Sequence, residues 1–202
     1  MKLKKYNKYM MSDKYYCPSC GEKVETAVRD YGRGQEICCV YCGFPILAVH
    51  VQQFSYKQSV IIVDDSKLLV EMMKDYFEKN SLTKTLHLCY DGGAFVKQFT
   101  KSLYEGEDIG LVILDIMMPI LSGINAAIAM RAIEQGFDRE RIPILFFSAK
   151  KADEQLIAAM KYCAPAHYVC KVEAEDSKEL CERVYKVANN LLLESKLMSG
   201  KM

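Results

Sequence analysis

The chain has 202 residues, 50% of them hydrophobic, and its 27 basic and 26 acidic side chains leave a formal net charge of +1. That length suits one well-packed domain plus something small, and the balanced charge gives the whole chain no electrostatic signature of a nucleic-acid or membrane binder. No apolar run approaches the ~20 residues of a membrane helix, and the basic start Met1-Lys2-Leu3-Lys4-Lys5 lacks the apolar stretch of a secretory leader, so no membrane insertion and a cytoplasmic location are expected.

Residues 1–14 are Lys-rich without a period and read as a flexible basic tail. Residues 15–50 carry two copies of one short turn, Cys17-Pro18-Ser19-Cys20-Gly21 and Cys39-Val40-Tyr41-Cys42-Gly43. Between them, residues 24–28 and 35–38 read as short strands around Gly32-Arg33-Gly34. So short a segment buries too little apolar area to fold alone. A tetrahedral zinc ion supplies the missing free energy, about 10–16 kcal/mol in small zinc modules. The C-x-x-C spacing lets two thiolates of one turn reach one ion, and Gly21 or Gly43 permits the backbone turn that aims amides at sulfur. Cys38 adjoins Cys39, but only Cys39 gives the paired spacing. Ordinary buried cysteines or a redox pair fit this doubled pattern less well than metal ligands do.

The segment resembles the zinc-ribbon family, which implies Cys17, Cys20, Cys39 and Cys42 as ligands of a structural zinc ion. Within it, Lys23, Arg29, Arg33 and Lys57 are balanced by Glu22, Glu25, Asp30 and Glu36. A neutral ribbon gains little from phosphate neutralisation, which favours protein docking over nucleic-acid binding. The basic tail keeps the second reading open.

Residues 51–58 read as a linker. From residue 59 the pattern alternates steadily. Strands are expected at 59–63, 84–89, 110–114, 142–147 and 166–170. Helices are expected at 66–79, 93–104, 123–135, 152–162 and 176–195. The unbroken apolar runs Val60-Ile61-Ile62-Val63 and Leu111-Val112-Ile113-Leu114 suit central strands covered on both faces. Five βα units with right-handed crossovers make an α/β domain, a doubly wound five-stranded parallel sheet, over residues 59–197. The scattered Cys89, Cys163, Cys170 and Cys181 read as small buried apolar side chains.

Each apolar run ends in a polar residue of a different kind: Asp64-Asp65, then Asp115, Ser148 and Lys171. Singly, these are helix caps, turn residues or surface charges. On neighbouring parallel strands they share the edge where open α/β sheets bind ligands. Two carboxylates ~4 Å apart repel by roughly 4 kcal/mol at an effective dielectric near 20, so three need a cation. Hard oxygen donors select magnesium.

The stretches Ile61-Ile62-Val63-Asp64-Asp65-Ser66-Lys67, Val112-Ile113-Leu114-Asp115-Ile116-Met117-Met118-Pro119 with Gly123, Phe146-Phe147-Ser148-Ala149 and Tyr168-Val169-Cys170-Lys171 are similar to the receiver domain of two-component response regulators, over roughly residues 58–195. The resemblance implies a flavodoxin-like strand order 2-1-3-4-5. It makes Asp115 the phosphoacceptor. It places magnesium on Asp65 and Asp115 directly, on Asp64 through water, and on the Met117 backbone carbonyl. Lys171 and Ser148 would contact phosphoryl oxygens, and Ser148 with Tyr168 would form the switch that repacks residues 152–195. Met117 and Lys150 would flank the attacking water. The expected donor is a histidine kinase or phosphotransfer protein and the expected output is contact with a downstream protein, with no separate enzyme activity. The alternative is a phosphorylation-controlled transcription regulator that binds nucleic acid through the ribbon, since residues 196–202 are too few for a C-terminal effector. Two departures stand out. Val172 replaces the usual proline after the lysine, leaving the Lys171–Val172 peptide open between cis and trans. The corner Cys163-Ala164-Pro165-Ala166 replaces a glycine-containing turn.

Overall fold

The computed structural model describes residues 15–30, 35–46, 57–149, 154–171 and 176–198. The expected tail at 1–14, the turn at Gly32-Arg33-Gly34, linker residues 51–56, Lys150 and Val172 lie outside the described residues.

The N-terminal segment forms two antiparallel hairpins, one per cysteine turn. Strand β1 (Tyr15–Cys17) pairs with β2 (Glu22–Val24), and β3 (Thr26–Asp30) pairs with β4 (Gln35–Cys39). The single strand expected over 24–28 is therefore interrupted at Glu25, because Val24 closes one ladder and Thr26 opens another. Each cysteine turn closes on itself: the Gly21 amide donates to the Cys17 carbonyl at 2.7 Å and the Gly43 amide to the Cys39 carbonyl at 2.9 Å. Both glycines hold φ above +70° (78° and 72°), which a side chain disfavours. Cys38 faces Ala27 across the ladder and bridges to Pro45, and strand alternation turns it away from Cys39.

The remainder alternates strand and helix: β5 (Ser59–Val63), α1 (Lys67–Lys79), β6 (Leu86–Cys89), α2 (Gly92–Tyr104), β7 (Ile109–Asp115), α3 (Gly123–Gly136), β8 (Ile144–Ser148), α4 (Glu154–Tyr162), β9 (Ala166–Cys170) and α5 (Ser177–Met198). The five strands are parallel in the order β6-β5-β7-β8-β9, the expected 2-1-3-4-5. Ser66, Asp91 and Ser122 cap α1, α2 and α3, each side chain accepting an amide of the first turn.

Strand alternation divides the core into two layers. Val60 and Ile62 face α1 and α5, whereas Ile61 and Val63 face α2 and α3. Cys17, Val24, Cys39 and Phe44 of the hairpins belong to the apolar cluster on the α1/α5 side. On the other side, buried Arg131 pairs with Glu134 at 2.7 Å and donates to the carbonyls of Ile142, Cys163 and Pro165. Its bonds to these carbonyls lock α3 to the chain entering β8 and β9, where Ala164–Pro165 is a cis peptide. Cys89, Cys163, Cys170 and Cys181 are buried thiols, as expected. Among the described residues no helix is long and apolar enough to cross a membrane.

Candidate functional site

Because β5 and β7 are adjacent and parallel, their C-terminal ends place Asp64, Asp65 and Asp115 together. One carboxylate oxygen of each lies within 4.8 Å of the others. Asp64 is fully buried and Asp115 is 2% exposed, while Asp65 opens to solvent. Past the end of β9, Lys171 reaches back across the sheet. Its Nζ lies 2.6 Å from Asp64 Oδ2 and 2.9 Å from Asp115 Oδ1, and 4.7 Å from the centre of the Phe147 ring. The ring gives the ammonium a flat apolar wall, while the Lys171 amide donates to the Ser148 carbonyl at 2.7 Å. Ser148 itself is fully buried at the end of β8.

One ammonium facing three carboxylates leaves the pocket negative. Burial raises the Asp115 pKa, the Lys171 charge opposes that rise, and the Asp64 charge adds to it. A hydrogen bond from the Met117 amide also favours the charged form. Buried Asp115 Oδ1 has no well-directed hydrogen bond despite its closeness to Lys171. A buried, under-satisfied carboxylate oxygen beside two more carboxylates is the donor set a hard divalent cation needs. The residues therefore fit magnesium. Asp64 is held in place by the Ser66 amide, which donates to its Oδ1 at 2.9 Å.

Sequence reasoning named Gly123 without finding its reason. A Cβ there would sit 1.9 Å from the Asp115 carbonyl oxygen, so only glycine lets α3 begin against the end of β7. Its place in the motif was the visible signal. Phe147 under Lys171 went unnoticed, because nothing in its apolar run separates it from core.

A second cluster sits in the hairpins. The sulfurs of Cys17, Cys20, Cys39 and Cys42 all lie within 4.8 Å of one another, with 3.6 Å from Cys17 to Cys42 and 3.7 Å from Cys20 to Cys39. Zinc–sulfur bonds of about 2.3 Å in a tetrahedron put sulfurs about 3.8 Å apart, so this cluster has the dimensions of a four-thiolate metal site. The Cys20 amide points at Cys17 Sγ from 3.4 Å. Hydrogen bonds from the Cys17 and Cys20 thiols lower the pKa values of Cys39 and Cys42, toward the thiolate. The structure thus brings the three aspartates together and, separately, the four cysteines, while Ser148 and Tyr168 lie on the adjoining strands β8 and β9.

Residues 60–185 match the profile of the response regulator receiver domain. The response regulator SaeR of Staphylococcus epidermidis is 32% identical over 101 residues, which cover 50% of this chain but only 38% of that relative. Among solved structures, the receiver domain of Francisella response regulator 1452 superposes with a TM-score of 0.53 at 22% identity, covering 69% of this chain and all (100%) of that one. A response regulator receiver protein from Clostridium thermocellum gives 0.52 at 20% identity, covering 70% and 98%. A CheX-CheY-BeF3-Mg complex from Borrelia burgdorferi gives 0.50 at 24% identity, covering 64% and 88%. The structural likenesses share the flavodoxin-like receiver fold.

Proposed function

This chain belongs to the response regulator receiver family, and from that premise we propose that it accepts a phosphoryl group on Asp115 and passes the change on as altered contact with a protein partner. The observation that carries the reading is the Lys171 ammonium within 2.9 Å or less of both Asp64 and Asp115, beside a third carboxylate. The donor is a phosphohistidine of a histidine kinase or phosphotransfer protein. An Asp115 oxygen forms the new O–P bond as the N–P bond breaks, and the leaving imidazole takes up a proton. Lys171 holds a compact positive charge where phosphoryl oxygens gather, and Ser148 offers a hydroxyl donor. Asp64, Asp65, Asp115 and the Met117 carbonyl are the residues that would hold magnesium, which supplies further neutralising charge when bound. The Borrelia complex, which combines a receiver relative with magnesium and a beryllofluoride, supports this reading.

The acyl phosphate adds about −1.5 to −2 charges at the end of β7. Ser148 on β8 and Tyr168 on β9 are the neighbouring residues through which that charge would repack α4, β9 and α5. Moving such a switch from 1:99 to 99:1 takes about 5.5 kcal/mol of preference for the active form. The four thiolates hold a structural zinc ion, with no open position for chemistry.

Incubation of the magnesium-loaded chain with acetyl phosphate should add one phosphate that hydroxylamine removes, and D115N should take up none. A wild-type chain that stays unmodified, or an equal gain in D115N, would end the proposal.

A further inference from the structure

Strand β9 is an edge of the sheet, so its outer backbone groups need a cover. The first cysteine turn supplies one. The Cys170 amide donates to the Ser19 carbonyl at 3.3 Å, and the Ser19 hydroxyl donates to the Tyr168 carbonyl. Arg183, on α5, donates from Nε to the Pro18 carbonyl at 3.0 Å. The Tyr16 hydroxyl donates to Glu179 Oε1 at 3.1 Å. The residues bracketed by Cys17 and Cys20 are thus tied to the strand that carries Tyr168 and to the helix behind it.

Arg183 is the unexplained member of this contact. It is 2% exposed, and its Nη1 and Nη2 have no hydrogen-bond partner among the described residues. A buried guanidinium without an anion is costly. No salt bridge to Arg183 is present among the described residues, and the carbonyl its Nε bonds belongs to Pro18, between two of the four clustered cysteines, Cys17 and Cys20. A divalent ion held by four thiolates carries net negative charge. The phenol of Tyr168 lies in the same field: burial raises its pKa most, Cys170 and Cys20 raise it further, and Arg183 draws it back.

We propose that Arg183 is a positioning residue of the thiolate metal site, and that metal loading clamps the Cys17–Cys20 turn onto the edge of β9 through it. The receiver then supplies part of the metal's outer shell, and the hairpins supply the missing neighbour of the edge strand. Metal state and edge cover are linked reciprocally, since whatever favours one favours the other by the same factor. The inference rests on the four-thiolate reading and not on phosphoryl acceptance, so the two fail separately.

The test measures zinc affinity of the full chain by competition with a chromophoric chelator, and amide exchange at Cys170 by NMR. R183M should lose about 10- to 100-fold in zinc affinity, the usual scale for removing an outer-shell partner, and R183K should regain part of it. Zinc should slow exchange at Cys170 at least about tenfold in the wild type, and S19A should weaken that protection. Unchanged zinc affinity in a folded R183M, or Cys170 exchange indifferent to zinc, overturns the proposal. If R183M does not fold, judged by lost protection in β5, S19A decides: a zinc-dependent Cys170 protection identical to wild type in S19A overturns it. A wild-type chain that takes up no zinc overturns it together with the ribbon reading.

Discussion

All four sulfurs of the thiolate cluster come from residues 17–42, on two short hairpins. The acidic pocket draws Asp64 and Asp65 from the end of β5, Asp115 from the end of β7 and Lys171 from beyond β9. The first is a local site whose metal would hold the fold together. The second is a distant-contact site that a finished sheet brings together. Their chemistry follows the same division. Sulfurs spaced by 3.6 and 3.7 Å across the cluster stand at the separations that a shared four-coordinate ion would impose. The carboxylates already have an ammonium, and their surrounding sheet is buried on every residue of β5 and β7.

The comparison can be broken most forcefully by removing zinc. Binding to small zinc modules is worth about 10–16 kcal/mol, far more than the two hairpins can supply. Strong chelators should erase amide protection in β1 to β4 while β5 and β7 stay protected. Loss of the whole sheet along with the hairpins would show that the two sites are not independent in this way.

A smaller effect separates the ammonium from the metal. K171M leaves Asp64 and Asp115 buried without their cation. In magnesium-free urea titrations it should lose about 3 kcal/mol. Magnesium should restore much of that loss, since saturating ligand at about 100 times its Kd adds about 2.7 kcal/mol. A K171M chain as stable as wild type without magnesium would mean that the pocket does not carry the charge load described.

The smallest effect concerns Asp115 alone. Burial, aided by Asp64, raises its pKa in the folded state above its unfolded value. Such a group contributes stability below its unfolded pKa and loses it as pH rises through the folded one, so its ionisation opposes folding at neutral pH. D115N should therefore be more stable than wild type at pH 7, with the gap closing as the pH falls through the carboxylate range. Thermal melts across that range measure it, and a gap that widens in acid would reverse the assignment.

Much of this was legible in the chain. The runs 60–63 and 111–114 were read as central strands because a strand covered on both faces has no polar side to show. Their terminal aspartates were read as a pocket because parallel neighbours bring like ends together. The break at Glu25 was not legible, since Val24 and Val28 suit one strand as well as two and only the pairing partners tell them apart. Arg183 was also hidden. It stands within the apolar face of α5 near Leu180 and Val184, and what it meets is Pro18, at the opposite end of the chain.

By itself, then, the sequence determined the order of the five parallel strands, their polar ends and the paired cysteines, because periodicity and short spacings act through neighbouring residues. Tertiary structure alone decided that the first cysteine turn lies along β9, that a guanidinium is buried beside it, and that Gly123 must stay bare against Asp115. Those contacts join surfaces far apart along the chain, and their energy depends on shape and charge in three dimensions, which no local pattern records.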